Sequence, residues 1–334
     1  MKTAPTIFMV VLLIVLAGCE PRVGEKEPLL KGKKLITVDF QEGQTLRYRF
    51  VSRRDIELDW DPTTSSTKQV KDKVDKSSES MDMVIAYTPI EVDPYGLTTI
   101  KATCETVKVM RTSSGRGRQG TSKDAVESLP GASFTFTIDP TGKIEDYSQL
   151  EKLIKEIGEK AFRPKGKGGR IKEPDMIGDF TATQWFLWDS VSSIEKAVEG
   201  VGVGQSWTSK LSVPTPVVTR KAREVTYTLD EIRRTEKGRI AVIRSSYSLA
   251  ESVPPSWPVP YSGKFQMSGR FGFLRGYKFL DLQGQGEELF NIDAGQTEQY
   301  NQQYQVQLEA SFPMGINTKP LVTIKQDLTM KLLE

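Results

Sequence analysis

The amino-acid sequence predicts a mainly β protein, a β-rich α+β fold whose large, curved antiparallel sheet forms an open barrel or a sandwich. Long stretches on both sides of the middle of the chain alternate apolar and polar residues, which is the pattern of half-buried strands. Helical periodicity is confined to one central segment, and short motifs of the first half recur in the second half in the same order. We therefore expect two similar β units with a helical insert between them.

Five predicted segments differ in composition and periodicity. They are a signal peptide at 1–18, a flexible tether at 19–34, a first β unit at 35–145, a helical insert at 146–199 and a second β unit at 200–334. The tether is assigned because prolines, glycines and charges follow one another there without apolar periodicity.

The first β unit contains the longest alternation, from Leu46 to Asp61, which predicts a strand about 50 Å long at about 3.3 Å per residue. The next segment carries complementary charges, so a hairpin folded about Thr64 would bring opposite charges together. The expected pairs are Asp55–Lys73, Glu57–Lys71, Arg53–Asp75 and Arg49–Glu79. Because carboxylates at alternate strand positions form a row and do not converge on a point, we interpret them as cross-strand ion pairs and not as a calcium site.

The remainder of this unit predicts a second hairpin and a short strand. Met81–Val92 and Leu97–Met110 flank a four-residue turn, and Phe134–Ile138 precedes a turn at Asp139–Gly142. Cys104 shares the alternation of the apolar residues in the second hairpin. We therefore expect a buried, unreactive thiol at this position.

The helical insert has two features with alternative interpretations. An aromatic cluster predicts either part of the core or a groove for a lipid or a peptide. Its members are Phe180, Trp185, Phe186 and Trp188. A basic stretch could contact anionic lipid headgroups, at about 1 kcal/mol per residue near such a surface, although its glycines favour a solvated loop. Its members are Arg163, Lys165, Lys167, Arg170 and Lys172.

The second β unit repeats motifs of the first. Gly204–Trp207 corresponds to Gly43–Leu46, Tyr227-Thr228 to Tyr87-Thr88, and Phe273–Lys278 to Ile138–Lys143. The proline-rich stretch 253–261 predicts either a docking segment for an aromatic groove or a long loop pinned by Trp257 and Tyr261.

Composition excludes several classes of function. A net charge of +3 over 334 residues gives no reason to expect nucleic acid as a partner. The chain has no histidine, which excludes Ser-His-Asp and Cys-His catalysis and the usual zinc sites. We therefore predict no enzymatic activity, no cofactor and no metal site, although 43 acidic residues leave open a hydrolase that uses paired carboxylates.

The N-terminal residues predict an exported, lipid-anchored protein. Lys2 precedes the apolar run Ile7–Leu16, which is too short for a hydrocarbon core that needs about 20 residues. The run ends in Leu16-Ala17-Gly18-Cys19, which resembles the lipobox of bacterial lipoproteins. The resemblance implies that the mature chain begins at Cys19 and that acyl chains on this residue hold it to a membrane, at about 0.8 kcal/mol per buried methylene. The expected location is the cell envelope, at the periplasmic face of the inner or outer membrane or at the cell surface.

The layout resembles a family of bacterial lipoproteins of unknown function, which have a lipobox, a short tether, a β unit, a helical middle and a second β unit. The residues that carry this likeness are Cys19, Gly43–Leu46, Asp139–Lys143 and Gly204–Trp207. A looser likeness, of architecture alone, is to half-barrel lipoprotein carriers, in which a curved antiparallel sheet holds acyl chains under helices.

We therefore expect a membrane-tethered, non-enzymatic protein that binds or scaffolds at the bacterial cell envelope, with a lipid or an envelope protein as its ligand. The alternatives are a carrier with an apolar cavity for lipid, and a histidine-free hydrolase. Apolar side chains around an open cavity would favour the carrier, whereas side chains that fill the interior would not. A buried carboxylate pair with raised pKa in a cleft would favour the hydrolase.

Overall fold

The computed structural model describes residues 32–62, 74–113, 123–313 and 318–333. The predicted signal peptide, the lipobox Leu16–Cys19 and most of the tether lie outside these residues. Within them the chain is mainly β, as predicted, and most strands belong to one large antiparallel sheet that is not closed.

The described part of the chain contains fourteen strands and three α-helices. The strands are β1 (Leu46–Asp59), β2 (Val74–Val92), β3 (Thr98–Ser113), β4 (Ser133–Ile138), β5 (Ile144–Asp146), β6 (Phe162–Lys165), β7 (Gly169–Lys172), β8 (Ser206–Ser212), β9 (Ala222–Thr235), β10 (Gly238–Leu249), β11 (Gln266–Met267), β12 (Arg275–Asn291), β13 (Gln296–Ser311) and β14 (Leu321–Leu332). The α-helices are α1 (Ser148–Lys160), α2 (Ile177–Phe186) and α3 (Asp189–Ser192). Short 3₁₀ segments lie at Ala125–Ser128, Ala197–Glu199 and Arg270–Gly272.

Eleven strands form the main sheet, in the order β5-β4-β3-β2-β1-β14-β13-β12-β10-β9-β8. When the order is read from β8 to β5, each strand pairs with the next one in an up-and-down meander. The strands from β8 to β14 belong to the second predicted unit, and the strands from β1 to β5 belong to the first. The two units meet where β1 pairs with β14, from Tyr48 opposite Leu332 to Asp59 opposite Leu321. The strands of both units therefore belong to one continuous sheet. A second, small sheet contains β6, β7 and β11.

The segment before β1, residues 32–45, crosses one end of the main sheet. Lys34 exchanges two backbone hydrogen bonds with Val201, which precedes β8 (2.9 and 2.8 Å). The Asp39 amide donates to the Gly295 carbonyl in the turn between β12 and β13 (2.9 Å). We call this end of the sheet the tether end. The opposite end, where β8 ends and β9 begins, is the far end.

The helical insert joins the two edge strands, β5 and β8, and packs between them. α1 lies against β4 near one edge, α2 lies against β8 at the other edge, and the two helices contact each other. Eleven strands spaced about 4.8 Å apart would make a flat sheet about 48 Å wide, whereas two packed helices span about 20 Å. The sheet therefore curves around the insert, and its inner face covers α2.

Two of the predicted sequence repeats occupy equivalent positions, at the start of β1 and the start of β8. Both begin with a glycine of positive φ, at 79° and 86°, a conformation that glycine adopts readily. The matching contacts are Gly43 N–Pro89 O (2.9 Å) and Gly204 N–Leu229 O (2.7 Å), and Thr45 Oγ1–Thr88 Oγ1 (2.7 Å) and Ser206 Oγ–Thr228 Oγ1 (2.8 Å).

The third predicted repeat is wrong. Asp139–Gly142 forms a turn, as predicted, with the Asp139 carboxylate accepting from the Thr141 amide at 2.8 Å. Its supposed counterpart, Phe273–Lys278, enters the strand β12 instead. The turn in the corresponding place of the second unit is 292–295, which connects β12 to β13.

The register of β1 against β2 also differs from the prediction. Arg49 lies opposite Val84 and not opposite Glu79, a shift of five residues. The observed register sets Phe50 opposite Met83 on the buried face. Burial of a side chain of this size contributes about 1.5–3 kcal/mol, whereas an exposed ion pair contributes much less. Apolar pairing therefore decides the register.

Two glycines of β12 leave room on the inner face for side chains of neighbouring strands. A Cβ on Gly286 would lie 2.2 Å from Tyr247 Oη and 2.6 Å from Ser245 Oγ. A Cβ on Gly284 would lie 2.4 Å from the Cβ of Tyr304. A side chain at either position must therefore displace its neighbours.

We expect Gly286→Ala to destabilise the fold by about 1–3 kcal/mol, as overpacking of a core does. Gly202→Ala is the matched control, because a Cβ at that position would meet no atom within 4 Å. Equilibrium urea unfolding, followed by circular dichroism, measures both variants. Equal free energies of unfolding in the two variants would contradict this packing.

Candidate functional site

α2 is buried around most of its circumference. A helix with apolar residues on most sides is expected to be enclosed in this way, and here the curved sheet encloses it. Phe180, Phe186 and Trp188 are at most 2% exposed, and their rings pack on rings of the main sheet. Trp185 is half-buried, and its ring centroid lies 5.3 Å from that of Tyr147. Three of the four predicted aromatic residues therefore belong to the core, and Trp185 alone lies on a groove.

This groove, which we call the α2 groove, lies along one side of the helix. Its floor carries Gly178, Thr181 and Trp185, and its walls are the loops 213–221 and 253–261. The loops contribute Pro214, Pro216, Pro258, Pro260, Trp257 and Tyr261. Its volume is about 130 Å³. That is close to the roughly 150 Å³ of a cavity that holds benzene, and well below the roughly 300–1,000 Å³ of most small-molecule sites.

Polar contacts hold both walls in place. Arg220 Nη2 donates to the carbonyls of Pro254 (3.1 Å) and Trp257 (3.2 Å), which joins the two loops. The Tyr261 hydroxyl donates to the carboxylate of Asp175, immediately before α2. The proline-rich stretch is therefore a long loop pinned at Trp257 and Tyr261, one of the two predicted alternatives. Because its walls are fixed, the groove is a preformed concave site.

The predicted basic stretch forms the hairpin of β6 and β7, and not a solvated loop. Neighbouring carboxylates neutralise part of its charge. Ion pairs join Arg163 to Glu173 and Arg170 to Glu159, and Lys165 and Lys167 are exposed. The hairpin is thus tied to α1 and to the segment that leads into α2.

Lys172 is buried and is not part of an exposed basic surface. Its ammonium contacts the Asp175 carboxylate, donates to the Glu173 carbonyl (2.7 Å) and lies 4.2 Å from the centroid of the Tyr261 ring. Burial lowers the pKa of Lys172 to about 7, against the opposing effect of nearby carboxylates. Through these contacts Lys172 joins Asp175, which precedes α2, to Tyr261 in one wall of the α2 groove.

An ionic centre at Arg54, on the inner face of the sheet, was missed by sequence analysis. Arg54 Nε donates to Glu79 Oε2 at 2.6 Å, and Nη1 donates to Asp179 Oδ2 of α2 at 2.8 Å. The Ser52 hydroxyl donates to the other oxygen of Asp179 at 2.5 Å. The signal in the sequence is that Ser52 and Arg54 interrupt the apolar alternation between Phe50 and Ile56. Two polar residues on an apolar face indicate a buried polar partner.

Arg54 belongs to a row that crosses the inner face of the sheet, which we call the polar row. Backbone pairing sets its members side by side from β3 to β10: Arg111, Glu79, Arg54, Gln326, Tyr304, Gly284 and Tyr247. Burial alone would raise the pKa of Glu79, yet the charges of Arg54 and Arg111 hold this pKa below its usual value. Glu79 therefore stays ionised between two arginines.

A second group of carboxylates lies in the core near α3. Burial raises the pKa of Asp189 to about 6 and that of Glu288 to about 7. Tyr227 Oη donates to Asp189 at 2.7 Å, and Thr297 Oγ1 donates to Glu288 at 2.6 Å. Neither carboxylate lines the α2 groove. The raised pKa values that a hydrolase would need therefore occur away from this groove.

The described residues contain no group of three or more cysteine, aspartate or glutamate residues that could hold a metal ion.

Cys104 is buried, and burial raises the pKa of its thiol to about 12. Such a thiol is protonated at neutral pH and unreactive. In the same described part of the chain, every helix is too short or too polar to cross a bilayer.

Comparisons with solved structures include a distant likeness to a protein of known structure. No family model matches this sequence, and no curated protein matches it. A solved structure of lipovitellin, titled "Lipid-protein interactions in lipovitellin", is similar over 89% of this chain with a TM-score of 0.41 and 10% identity. The match spans 26% of the length of that lipovitellin chain. A likeness of this size carries no argument about function.

We expect Arg54→Met to lower the free energy of unfolding by about 3–5 kcal/mol, because Glu79 and Asp179 lose their buried cation. Arg49→Met is the matched control on the same strand, since it removes the exposed ion pair with Asp82 and is expected to change stability little. Urea unfolding at neutral pH measures both. Equal losses in the two variants would contradict the ionic centre.

Proposed function

We propose that this chain is a non-enzymatic binding protein, tethered to the bacterial cell envelope through lipid on Cys19, whose ligand enters the α2 groove. The observation that carries the proposal is the groove itself: a preformed concave site with two tryptophans, a tyrosine and four prolines on its surface. Aromatic and proline surfaces of this kind bind extended peptides and small rings with little loss of side-chain entropy.

The size of the groove restricts the ligand. A volume of about 130 Å³ accommodates one aromatic ring or one branched side chain, and not a lipid tail together with its headgroup. We therefore favour an envelope protein that inserts one such side chain from an extended segment. The inner face of the sheet is filled by α2 and by aromatic side chains, which argues against a preformed lipid cavity among the described residues.

The position of the groove fits a tethered protein. The first described residue, Gly32, lies thirteen residues after Cys19, and a flexible chain of that length spans about 20 Å on average. The tether end would therefore face the bilayer, whereas the loops of the α2 groove leave the sheet at the far end. Tyr95 and Leu35, 85% and 56% exposed, would contact lipid at the tether end, although Phe273 near the far end is 67% exposed as well.

A lipid carrier and a hydrolase are the two alternative functions. A lipid carrier would require α2 to leave the inner face, and native mass spectrometry of the purified protein would then find bound lipid. A hydrolase would require Asp189 and Glu288 to become accessible to substrate, because raised pKa values alone do not form an active site.

We expect Cys19→Ala to abolish both incorporation of a fatty-acid probe and recovery in the membrane fraction. Cys104→Ala is the matched control, because it removes the other of the two cysteines. Metabolic labelling with an alkyne fatty acid, followed by fractionation, measures both properties. Labelling that persists in Cys19→Ala would remove the tether from the proposal.

We expect 5-fluoroindole to bind the α2 groove of the wild-type protein and to bind Gly178→Leu at least tenfold more weakly. A Cβ on Gly178 would lie 3.6 Å from Pro214 Cβ, an ordinary contact, so the leucine fills the groove without a backbone clash. Gly202→Leu is the control at an open surface position. Broadening of the ¹⁹F resonance of the probe measures binding, and equal broadening with both variants would place the ligand elsewhere.

A further inference from the structure

Two arginines of the inner face are equally buried but differ in their partners. Arg54 and Arg223 are each 1% exposed. Arg54 contacts two carboxylates, as described above. Arg223, at the start of β9, forms no ion pair with any carboxylate among the described residues, and its Nε and Nη1 atoms have no hydrogen-bond partner. A buried guanidinium without a counter-charge is strongly destabilising.

The surroundings of Arg223 supply only part of what the guanidinium needs. Its central carbon lies 4.6 Å from the ring centroid of Tyr247 and 4.4 Å from that of Tyr304, so the cation is held between two aromatic faces. Its Nη2 atom donates to Gln302 Oε1. Burial raises the pKa of Asp189, which the charge of Arg223 opposes, and this carboxylate accepts hydrogen bonds from the hydroxyls of Tyr227 and Ser209 and not from Arg223.

Further donors without partners lie beside Arg223. Gln302 Nε2 and Tyr304 Oη are buried and have no hydrogen-bond partner. The contact between Arg223 and Gln302 fixes the orientation of this amide, because its oxygen accepts from the guanidinium and its nitrogen must face the other way. Arg223, Gln302 and Tyr304 thus present one positive charge and four unpartnered nitrogen or hydroxyl atoms. Two buried acceptors without partners, Gln326 Oε1 beside Tyr304 and Glu288 Oε2, belong to other residues. The unpartnered donors of Arg223, Gln302 and Tyr304 themselves match an anion and not a cation.

We propose that Arg223, Gln302 and Tyr304 form a buried site for a small monovalent anion of the halide class. The site lies on the inner face and shares Tyr304 with the polar row. Gly284 and Gly286 of β12 pair with Tyr304 and Gln302, so these two residues and Arg223 lie over the β12 backbone. Because the surrounding residues exclude solvent, the ion is integral to the folded core and exchanges when the core opens. A halide fits such a site since it accepts several N–H and O–H bonds from any direction and needs no room for further atoms.

The test is equilibrium urea unfolding of the full-length protein in detergent, with sodium chloride or sodium gluconate at equal ionic strength. Urea is uncharged, so chloride is the only halide present. We expect the folding equilibrium constant to rise about tenfold for each tenfold increase of chloride above its dissociation constant. Gluconate, which is too large for the site, is expected to give no such rise.

Two variants separate the site from general salt effects. Tyr304→Phe keeps both aromatic faces around the guanidinium and removes only the hydroxyl, so it is expected to be less stable than wild type in chloride and equal or more stable in gluconate. Arg244→Met, on the exposed face of β10, is the control and is expected to keep the full response to chloride.

A direct measurement complements the unfolding curves. Crystals grown in sodium bromide are expected to show an anomalous peak within hydrogen-bond reach of Arg223 and Gln302. A chloride response that is the same in Tyr304→Phe as in wild type, or the lack of a halide-specific response, would overturn the proposal. So would bromide peaks at surface positions alone. Arg223→Met gives an additional variant in which the response to chloride is expected to vanish.

Discussion

A guanidinium that is buried away from water needs a negative charge beside it. The guanidinium of Arg54 is buried in the middle of the inner face. Glu79 on β2 and Asp179 on α2 supply the charges, so the position of α2 is fixed against β1 and β2. The placement of the helix in turn determines which side chains are enclosed. One side of α2 carries Phe180 and Phe186 into the core, and another carries Trp185 onto the groove.

The strands could be predicted from the sequence because burial on one face imposes a period of two on long stretches of the chain. The turn at Asp139–Gly142 could be predicted from local chemistry as well. The register of β1 could not be predicted, because the four expected ion pairs all agree with a register that does not form. Phe50 and Met83 settle it through buried area, which outweighs exposed charges. The alternation of β1 places Arg54 on the inner face of the sheet. The pattern does not identify its partner, Asp179, which lies far away in sequence.

The candidate site was only partly predictable for a related reason. An aromatic cluster in a helix is chemically the same whether it faces a core or a ligand, and only the packing of the sheet separates Trp185 from Phe180 and Phe186. The walls of the groove come from two loops that are distant in sequence. Arg220 joins them through backbone carbonyls, a contact that leaves no pattern in the residue types.

The adjacency of β1 and β14 has a consequence for how the molecule is assembled. Nearly the whole described chain separates these two strands, so a nascent polypeptide displays one open edge of β1 until β14 emerges. Open edges of long strands promote association between chains, and pairing over such a sequence distance is slow. Completion of the sheet is therefore a late event, and partly synthesised chains expose the β1 edge to association with one another.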